Sequence, residues 1–277
     1  MKCNYNKKKM ADRFDCAENY LRAIKKLNEN SKPDFHYNRD FERLFLSLSQ
    51  KCGKAKLWKD FITVSACKIS NYTDDRFRDQ REKMRADILS GYTEDEIAVF
   101  DDMLAIVNKA LGENREQNFL GDMYTMLDPY GTRASEYYAT YEKCVYAVRE
   151  RLKSGLPLLH NGEPLTSSFR CCATGTGMIA LANEALNAGV NYQSQILFIG
   201  HEEIFVEALT CYIQMSLIGC RAIIKIADGD RHPFVDEDLK TAKVWLTPMY
   251  THGDQIVDYF ARKQQETENN DNTEKGV

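Results

Sequence analysis

Residues 167–181, SSFRCCATGTGMIAL, decide how the second half of this chain folds. They begin inside a strand-like run, pass through a short turn of small residues and enter a segment with helical spacing of apolar residues. Gly175 and Gly177 would let backbone amides approach a ligand, and the helix that follows would present its positive amino end. A strand, a glycine turn and a helix in this order are typical of the first unit of a nucleotide-cofactor site.

The chain after residue 165 alternates strands and helices. The strand-like runs are LTSSFRCC (165–172), SQILFIG (194–200), CRAIIKIAD (220–228) and VWLTPMY (244–250), and helical segments separate the first three. This alternation predicts βαβ units and a parallel sheet. Ligands of such sheets bind beyond the carboxyl ends of the strands. Glu202 there is placed for a ribose hydroxyl pair, or to cap the helix that follows it, and Asp228 is placed for the edge of an adenine ring.

The chain before residue 128 has the apolar spacing of helices and not of strands. Five segments within 36–127 carry apolar residues three and four apart, which predicts a helical bundle. Thr93 and Glu96 form a predicted capping box, and a further helix over 141–155 is predicted to end at Gly155. The predicted organisation is a polar segment (1–35), a helical domain (36–155), a domain with the sheet (156–261) and a disordered tail (262–277).

Composition excludes several classes of function. The formal net charge of −4 argues against a dedicated nucleic-acid binder. Nine cysteines are present without a Cys-x-x-Cys pair, so no metal site is predicted. No run is apolar and long enough to span a bilayer, and the amino terminus has no apolar signal segment. We therefore expect a soluble, cytoplasmic protein with no membrane partner, in which His201 is a packed residue.

Four phrases together carry a resemblance to a known family: KLWKDFITVSACKISN (56–71), EQNFLGDMYTML (116–127), CCATGTGMIAL (171–181) and ALTCYIQMSLIG (208–219). Over about residues 40–250 the chain resembles the adenine DNA methyltransferases related to modification subunits of type I restriction systems. It is most similar to the shorter methylase-like proteins of phages and integrative elements. The resemblance implies an α/β fold in which an N-terminal helical bundle precedes a class I (Rossmann-like) methyltransferase domain at 156–261. It also implies S-adenosylmethionine as cofactor, with contacts from Tyr137, Thr140, Thr174, Gly175, Gly177, Glu202 and Asp228.

The sequence departs from the family at the cofactor phrases. The family's Gly-Gln-Phe-Phe-Thr-Pro corresponds to ASEYYATY (134–141), which keeps two aromatic residues but lacks Thr-Pro. The acid and proline expected before the glycine turn are replaced by Phe169 and Arg170, and Ala173 replaces the first glycine. The lost carboxylate would have bound the ammonium of the cofactor, and loss of a charged hydrogen bond costs about 1.5–3 kcal/mol. We therefore expect S-adenosylmethionine binding to be lost.

The family's target-base phrase, Asn-Pro-Pro-Phe/Tyr, corresponds here to WLTPMY (245–250), which has no amide or carboxylate to hold an adenine amine. No catalytic residue is assigned. The first hypothesis is a pseudoenzyme that binds and inhibits a host defence protein or ribonucleoprotein complex, of restriction or CRISPR type, or a nucleic acid, on behalf of a mobile element. The alternative is an active DNA adenine methyltransferase with a divergent cofactor site. A third hypothesis is a module that contacts DNA through the helical region.

Overall fold

Helices make up most of the chain up to the first strand. The computed structural model describes residues 37–131 and 139–253, so the predicted segments 1–35 and 262–277 lie outside the described residues. The helices before the sheet are α1 (Tyr37–Cys52), α2 (Lys54–Thr73), α3 (Arg78–Leu89), α4 (Glu94–Glu113), α5 (Phe119–Leu127) and α6 (Tyr141–His160). The five helices predicted within 36–127 are confirmed.

The predicted capping box begins α4 as expected. Thr93 Oγ1 accepts a hydrogen bond from the Glu96 amide at 3.3 Å, and the Glu96 carboxylate accepts from the Thr93 amide at 2.8 Å. The apolar faces of these helices meet in an aromatic cluster, in which Phe41 packs edge-on against Phe61 with ring centroids 5.4 Å apart. Both side chains are fully buried, so the helical spacing in the sequence marks the packed face.

The sheet half follows the predicted alternation. Its elements are β1 (Leu165–Phe169), α7 (Thr176–Asn187), α8 (Tyr192–Gln195), β2 (Ile196–His201), α9 (Phe205–Leu217), β3 (Ala222–Lys225) and β4 (Val244–Leu246). The strand order is β1-β2-β3-β4, and the first three strands are parallel. The chain is therefore α/β, as the sequence predicts.

The fourth strand corrects the prediction of a parallel sheet. β4 pairs with β3 antiparallel, with Ile224 opposite Trp245. A parallel return needs a crossover of a dozen or more residues, usually a helix, whereas the connection after β3 contains only the short 3₁₀ helix Asp236–Lys240. The chain consequently reverses direction, and β4 ends at the opposite end of the sheet from the carboxyl ends of β1, β2 and β3.

A buried ion pair fixes β4 to the helical half. Arg81, only 2% exposed, binds Asp74 at 2.8 Å and donates to the carbonyl of Val244 at 2.9 Å. Its guanidinium also lies 4.1 Å from the ring centroid of Trp245. Burial raises the pKa of Asp74, but hydrogen bonds from Arg76 and Arg81 outweigh that effect and hold the pKa below its usual range. A buried charge of this kind is stable only when paired.

Helix α6 continues past its predicted end. Gly155 and Pro157 both lie inside the helix, which ends at His160. A side chain at Gly155 would come within 3.1 Å of Leu165, so the glycine allows β1 to approach the helix and does not terminate it. The predicted domain boundary between residues 155 and 156 stays a prediction and falls within this helix.

The described residues form one large hydrophobic core and a smaller cluster around Ile223, Val244 and Leu246. The large core is continuous across both halves of the fold. It joins Trp58 of α2, Met178 of α7 and Tyr212 of α9 in a continuous cluster of buried side chains. Within residues 37–131 and 139–253, every helix is too short or too polar to cross a bilayer.

A candidate ligand cleft at the carboxyl ends of the strands

A cleft of about 710 Å³ opens where β1 and β2 end. Its walls come from α6, from the turn after β1 and from the segment after β2. Volumes of about 300–1,000 Å³ are typical of small-molecule sites. The cleft thus lies where the sequence predicts ligand binding, beyond the carboxyl ends of parallel strands.

The turn after β1 contains two residues in the left-handed region. Ala173 has φ 46° and Gly175 has φ 102°. A Cβ at Gly175 would meet Cys211 Sγ at 3.1 Å, so Gly175 packs against α9 and is not among the residues that line the cleft. Ala173 does line the cleft and adopts its left-handed backbone despite its Cβ. For an L-residue with a side chain, this conformation carries strain.

Two buried amide side chains support this turn from outside the cleft. Asn118 donates to the hydroxyl of Thr174 at 2.8 Å and also to the hydroxyl of Thr176. Gln214, fully buried, donates to Asn118 at 2.6 Å and to the Thr174 carbonyl at 2.7 Å, and it accepts from the Leu120 amide at 3.0 Å. The network links α5, the turn and α9 through satisfied polar groups, which makes the turn rigid.

Phe169 fills the end of β1. Its ring lies 3.1 Å from the position that a Cβ on Gly177 would occupy, so the glycine leaves room for the ring. The guanidinium of Arg151 lies 5.4 Å from the ring centroid, and its Nη2 donates to the carbonyl of Ser168 at 3.0 Å. The β1 side of the cleft therefore carries an aromatic ring and a positive charge.

Glu202 joins the ends of β1 and β2. Its carboxylate accepts from the amide of Ala173 and from the amide of Ile204, each at 3.0 Å, and the thiol of Cys171 lies 3.5 Å away. The residue is 6% exposed. A carboxylate has about four acceptor positions, so most of them are occupied by this protein's own donors. Glu202 thus acts as a brace and keeps limited capacity for a ligand.

The cysteines of the turn are unreactive thiols. Burial, followed by the charge of Glu202, raises the pKa of Cys171 to about 11. The pKa of Cys172 is raised by its hydrogen bond with Cys211 and by burial. Because the thiolate is the nucleophilic form, neither residue is suited to nucleophilic catalysis near pH 7.

His201 lies at the end of β2 and is 2% exposed. Its Nδ1 is 3.3 Å from the Phe169 carbonyl, while Nε2 has no partner within the described chain. Burial lowers its pKa, so the ring is neutral at pH 7. It is not among the residues that line the cleft, which agrees with a packed role.

The structure brings together part of the predicted cofactor set. Gly177 and Glu202 line the cleft. Thr174 is buried and bonded to Asn118, outside the lining. Thr140 is exposed at the start of α6 and does not line the cleft. Tyr137, with the rest of 132–138, lies outside the described residues.

Asp228 and Arg170 have partners away from the cleft. Asp228 accepts from the amides of Asp230 at 2.8 Å and Arg231 at 3.3 Å within its own turn, and it does not line the cleft. Arg170 pairs with Asp230 at 2.8 Å on the surface. Arg170 is therefore not part of the cleft lining, where Arg151 supplies the positive charge.

The phrase WLTPMY lies far from this cleft in the fold. Thr247 is fully buried, donates to the Cys220 carbonyl at 2.7 Å and accepts from the Ala222 amide at 2.9 Å, at the beginning of β3. Because β4 is antiparallel, its carboxyl end lies at the amino ends of the other strands. The residues that follow β4 therefore lie away from the ligand edge of the sheet.

Sequence reasoning did not assign roles to Asn118, Gln214 or Arg151. The first two lie in phrases that carry the resemblance, and their buried amides are visible in the sequence as polar residues within apolar segments. Arg151 lies among other charged residues of α6, and only the fold distinguishes it. Among residues 37–131 and 139–253, no cluster of three His, Cys, Asp or Glu side chains could hold a metal.

A scan against protein-family models, a search of curated proteins and a search of solved structures each find no match to this chain.

Proposed function

We propose that this protein is a degenerate S-adenosylmethionine-dependent methyltransferase homologue that acts by binding and does not transfer methyl groups. The class I, Rossmann-like assignment is part of this proposal. The observation that carries it is the ring of Phe169 at the end of β1, seated against Gly177 under the guanidinium of Arg151. The resemblance calls for a carboxylate at that position.

The electrostatics of the β1 side support the loss of the cofactor. The methionine end of S-adenosylmethionine carries an ammonium, a sulfonium and one carboxylate, a net positive charge that a carboxylate of the protein would stabilise. Here Arg151 is the charged residue on that side of the cleft, and a like charge disfavours the ligand. Glu202 is engaged by the amides of Ala173 and Ile204 and contributes little further attraction.

The orientation of β4 supports the loss of adenine chemistry. The family's target-base phrase follows its fourth strand and must face the cofactor to accept the exocyclic amine. Here Thr247 follows an antiparallel strand and is bonded to backbone groups at the start of β3. The phrase at 245–250 therefore supplies no acceptor for the amine of a flipped adenine at this cleft.

The partner we propose is a host defence protein or ribonucleoprotein complex, inhibited on behalf of a mobile element. The resemblance to proteins of phages and integrative elements motivates this choice, and the net charge of −4 favours a protein partner over naked nucleic acid. In the basic stretch KCGKAKLWKD (51–60), Lys51 is paired with Glu96 and Lys56 with Asp60. DNA contact through the helical region stays a prediction.

Titration calorimetry with S-adenosylmethionine tests the proposal. We expect no binding at micromolar concentrations to the wild type or to the control variant Phe169→Leu, which removes the ring without adding charge. The double variant Phe169→Asp/Arg151→Gln restores the carboxylate and removes the competing cation, so its affinity should rise about tenfold or more. Micromolar binding by the wild type would overturn the proposal.

A second candidate is an active DNA adenine methyltransferase with a divergent cofactor site. Two observations favour it: Gly175 keeps the left-handed turn, and Glu202 lies at the end of β2 in a cleft large enough for a nucleoside. Transfer of a tritiated methyl group to DNA, abolished by Glu202→Gln, would support this candidate. Absence of transfer with the wild type would count against it.

A further inference from the structure

Arg151 differs from the cations around it. Arg149, Lys153 and Arg170 each form an ion pair, with N–O distances of 2.6, 2.5 and 2.8 Å; their partners are Glu184, Glu150 and Asp230. Arg151 has no acidic partner among the residues that the structure describes, although it lines the cleft. Among residues 37–131 and 139–253, no acid is therefore paired with this positive charge of the cleft.

The guanidinium of Arg151 is already held in place. The carbonyl of Ser168 accepts from Nη2, and the guanidinium lies over the ring of Phe169, 5.4 Å from its centroid. A guanidinium has five N–H donors in a fixed plane, so most donors stay available for a carboxylate or phosphate. Because the side chain is ordered before a ligand arrives, binding costs less conformational entropy.

The cleft also contains two acids, which come from other elements. Glu202 follows β2 and Glu207 belongs to α9, whereas Arg151 comes from α6. Much of the remaining lining is apolar and includes Ala147 and Val148. Among the described residues Arg151 is the one cation of the lining, so an anionic group would bind there.

We propose that this cleft binds a small molecule whose phosphate monoester group lies on Arg151 and whose uncharged part contacts the apolar lining. A nucleoside 5′-monophosphate has this chemistry. The inference rests on the proposed function in one respect, namely that the cleft no longer serves a sulfonium ligand. It deepens that proposal, because a phosphate bound to Arg151 is opposite in charge to the ammonium and sulfonium of that cofactor.

The matched ligands adenosine and adenosine 5′-monophosphate test the inference by titration calorimetry on the full chain. We expect the monophosphate to bind about tenfold or more tightly than adenosine, because a charge-assisted bond to Arg151 is added. This ratio should fall close to one in Arg151→Gln. It should persist in Arg149→Gln, which removes a neighbouring cation of the same helix. Thermal unfolding of each variant checks that the fold is retained.

Equal affinity for the two ligands, no binding of either at millimolar concentration, or an unchanged ratio in Arg151→Gln would each overturn the inference. Titration with S-adenosylmethionine in parallel separates this outcome from failure of the proposed function. Micromolar binding of that cofactor contradicts the proposed function, whereas the ratio between the two adenosine ligands reports on Arg151 alone. Inorganic phosphate serves as a further probe, and its binding should also be lost in Arg151→Gln.

Discussion

Replacing Gln214 by leucine should destabilise the protein substantially. Gln214 is fully buried and its side chain makes three hydrogen bonds, to Asn118, to the Thr174 carbonyl and from the Leu120 amide. Leucine leaves the Leu120 amide and the Thr174 carbonyl without these partners, in a site that water does not reach. Asn118 loses one bond but still accepts from the Gly121 amide.

The magnitude follows from the two orphaned backbone groups. A buried polar group without a partner costs about 1–3 kcal/mol, so the variant should lose about 2–6 kcal/mol of unfolding free energy. For a domain of this size, each kcal/mol lowers Tm by about 2–4 °C. Urea denaturation followed by circular dichroism gives the free energy of unfolding, and a thermal scan gives Tm.

Gln193→Leu is the matched control. Gln193 is 5% exposed, and its side-chain nitrogen has no hydrogen-bond partner among the described residues. The same substitution there removes an unsatisfied amide, so we expect a change within about 1 kcal/mol. If the two variants lose the same stability, the network around Asn118 and Thr174 does not hold the turn, and the reasoning is wrong.

Two further predictions concern strain and buried charge. Ala173→Gly should raise the free energy of unfolding, measured by urea denaturation, by up to about 1.5 kcal/mol. The substitution relieves a left-handed strain of about 1–2 kcal/mol, which exceeds the entropy that glycine adds to the unfolded chain. A loss of stability would contradict the strain. Asp74→Asn should cost about 3–5 kcal/mol because Arg81 is left unpaired, whereas Asp75→Asn, an exposed pair, should cost about 0–1 kcal/mol. The lowered pKa of Asp74 means that its contribution is complete above about pH 4 and is lost as pH falls through the folded-state pKa. Acid denaturation below pH 4 should therefore be less steep in Asp74→Asn, and an unchanged profile would be evidence against this role.

Local patterns in the sequence were sufficient for most elements of the fold. The helical spacing over 36–127 and the capping box at Thr93 depend on neighbours within a few residues, and both are confirmed. The direction of β4 depends on contacts between distant residues, namely Arg81 with Val244 and Trp245. No periodicity in 244–250 reports those contacts, so the antiparallel pairing could not be read from the sequence.

The residues of the candidate site likewise include some that local sequence patterns predict and others that only the fold brings together. Glu202 directly follows β2, and Gly177 lies at the start of α7 after β1, so the rule for carboxyl ends of parallel strands was enough to find them. Gly175 was predicted as a contact from its residue type, but its Cα packs against Cys211 of α9 and does not line the cleft. Arg151 enters the cleft from α6 because that helix packs beside β1, a relation that exists only in three dimensions.

β1 is an edge strand of the sheet, and Arg151 binds a carbonyl of this strand. Among the described residues β1 pairs with β2 alone, and an edge strand of this kind is a template for pairing with a further strand. Thr166 and Ser168 present polar side chains on this strand, and the Ser168 carbonyl is occupied by Arg151. Any strand that added there through that carbonyl would have to displace the guanidinium. Ligand occupancy and strand addition would then be thermodynamically linked, each weakening the other.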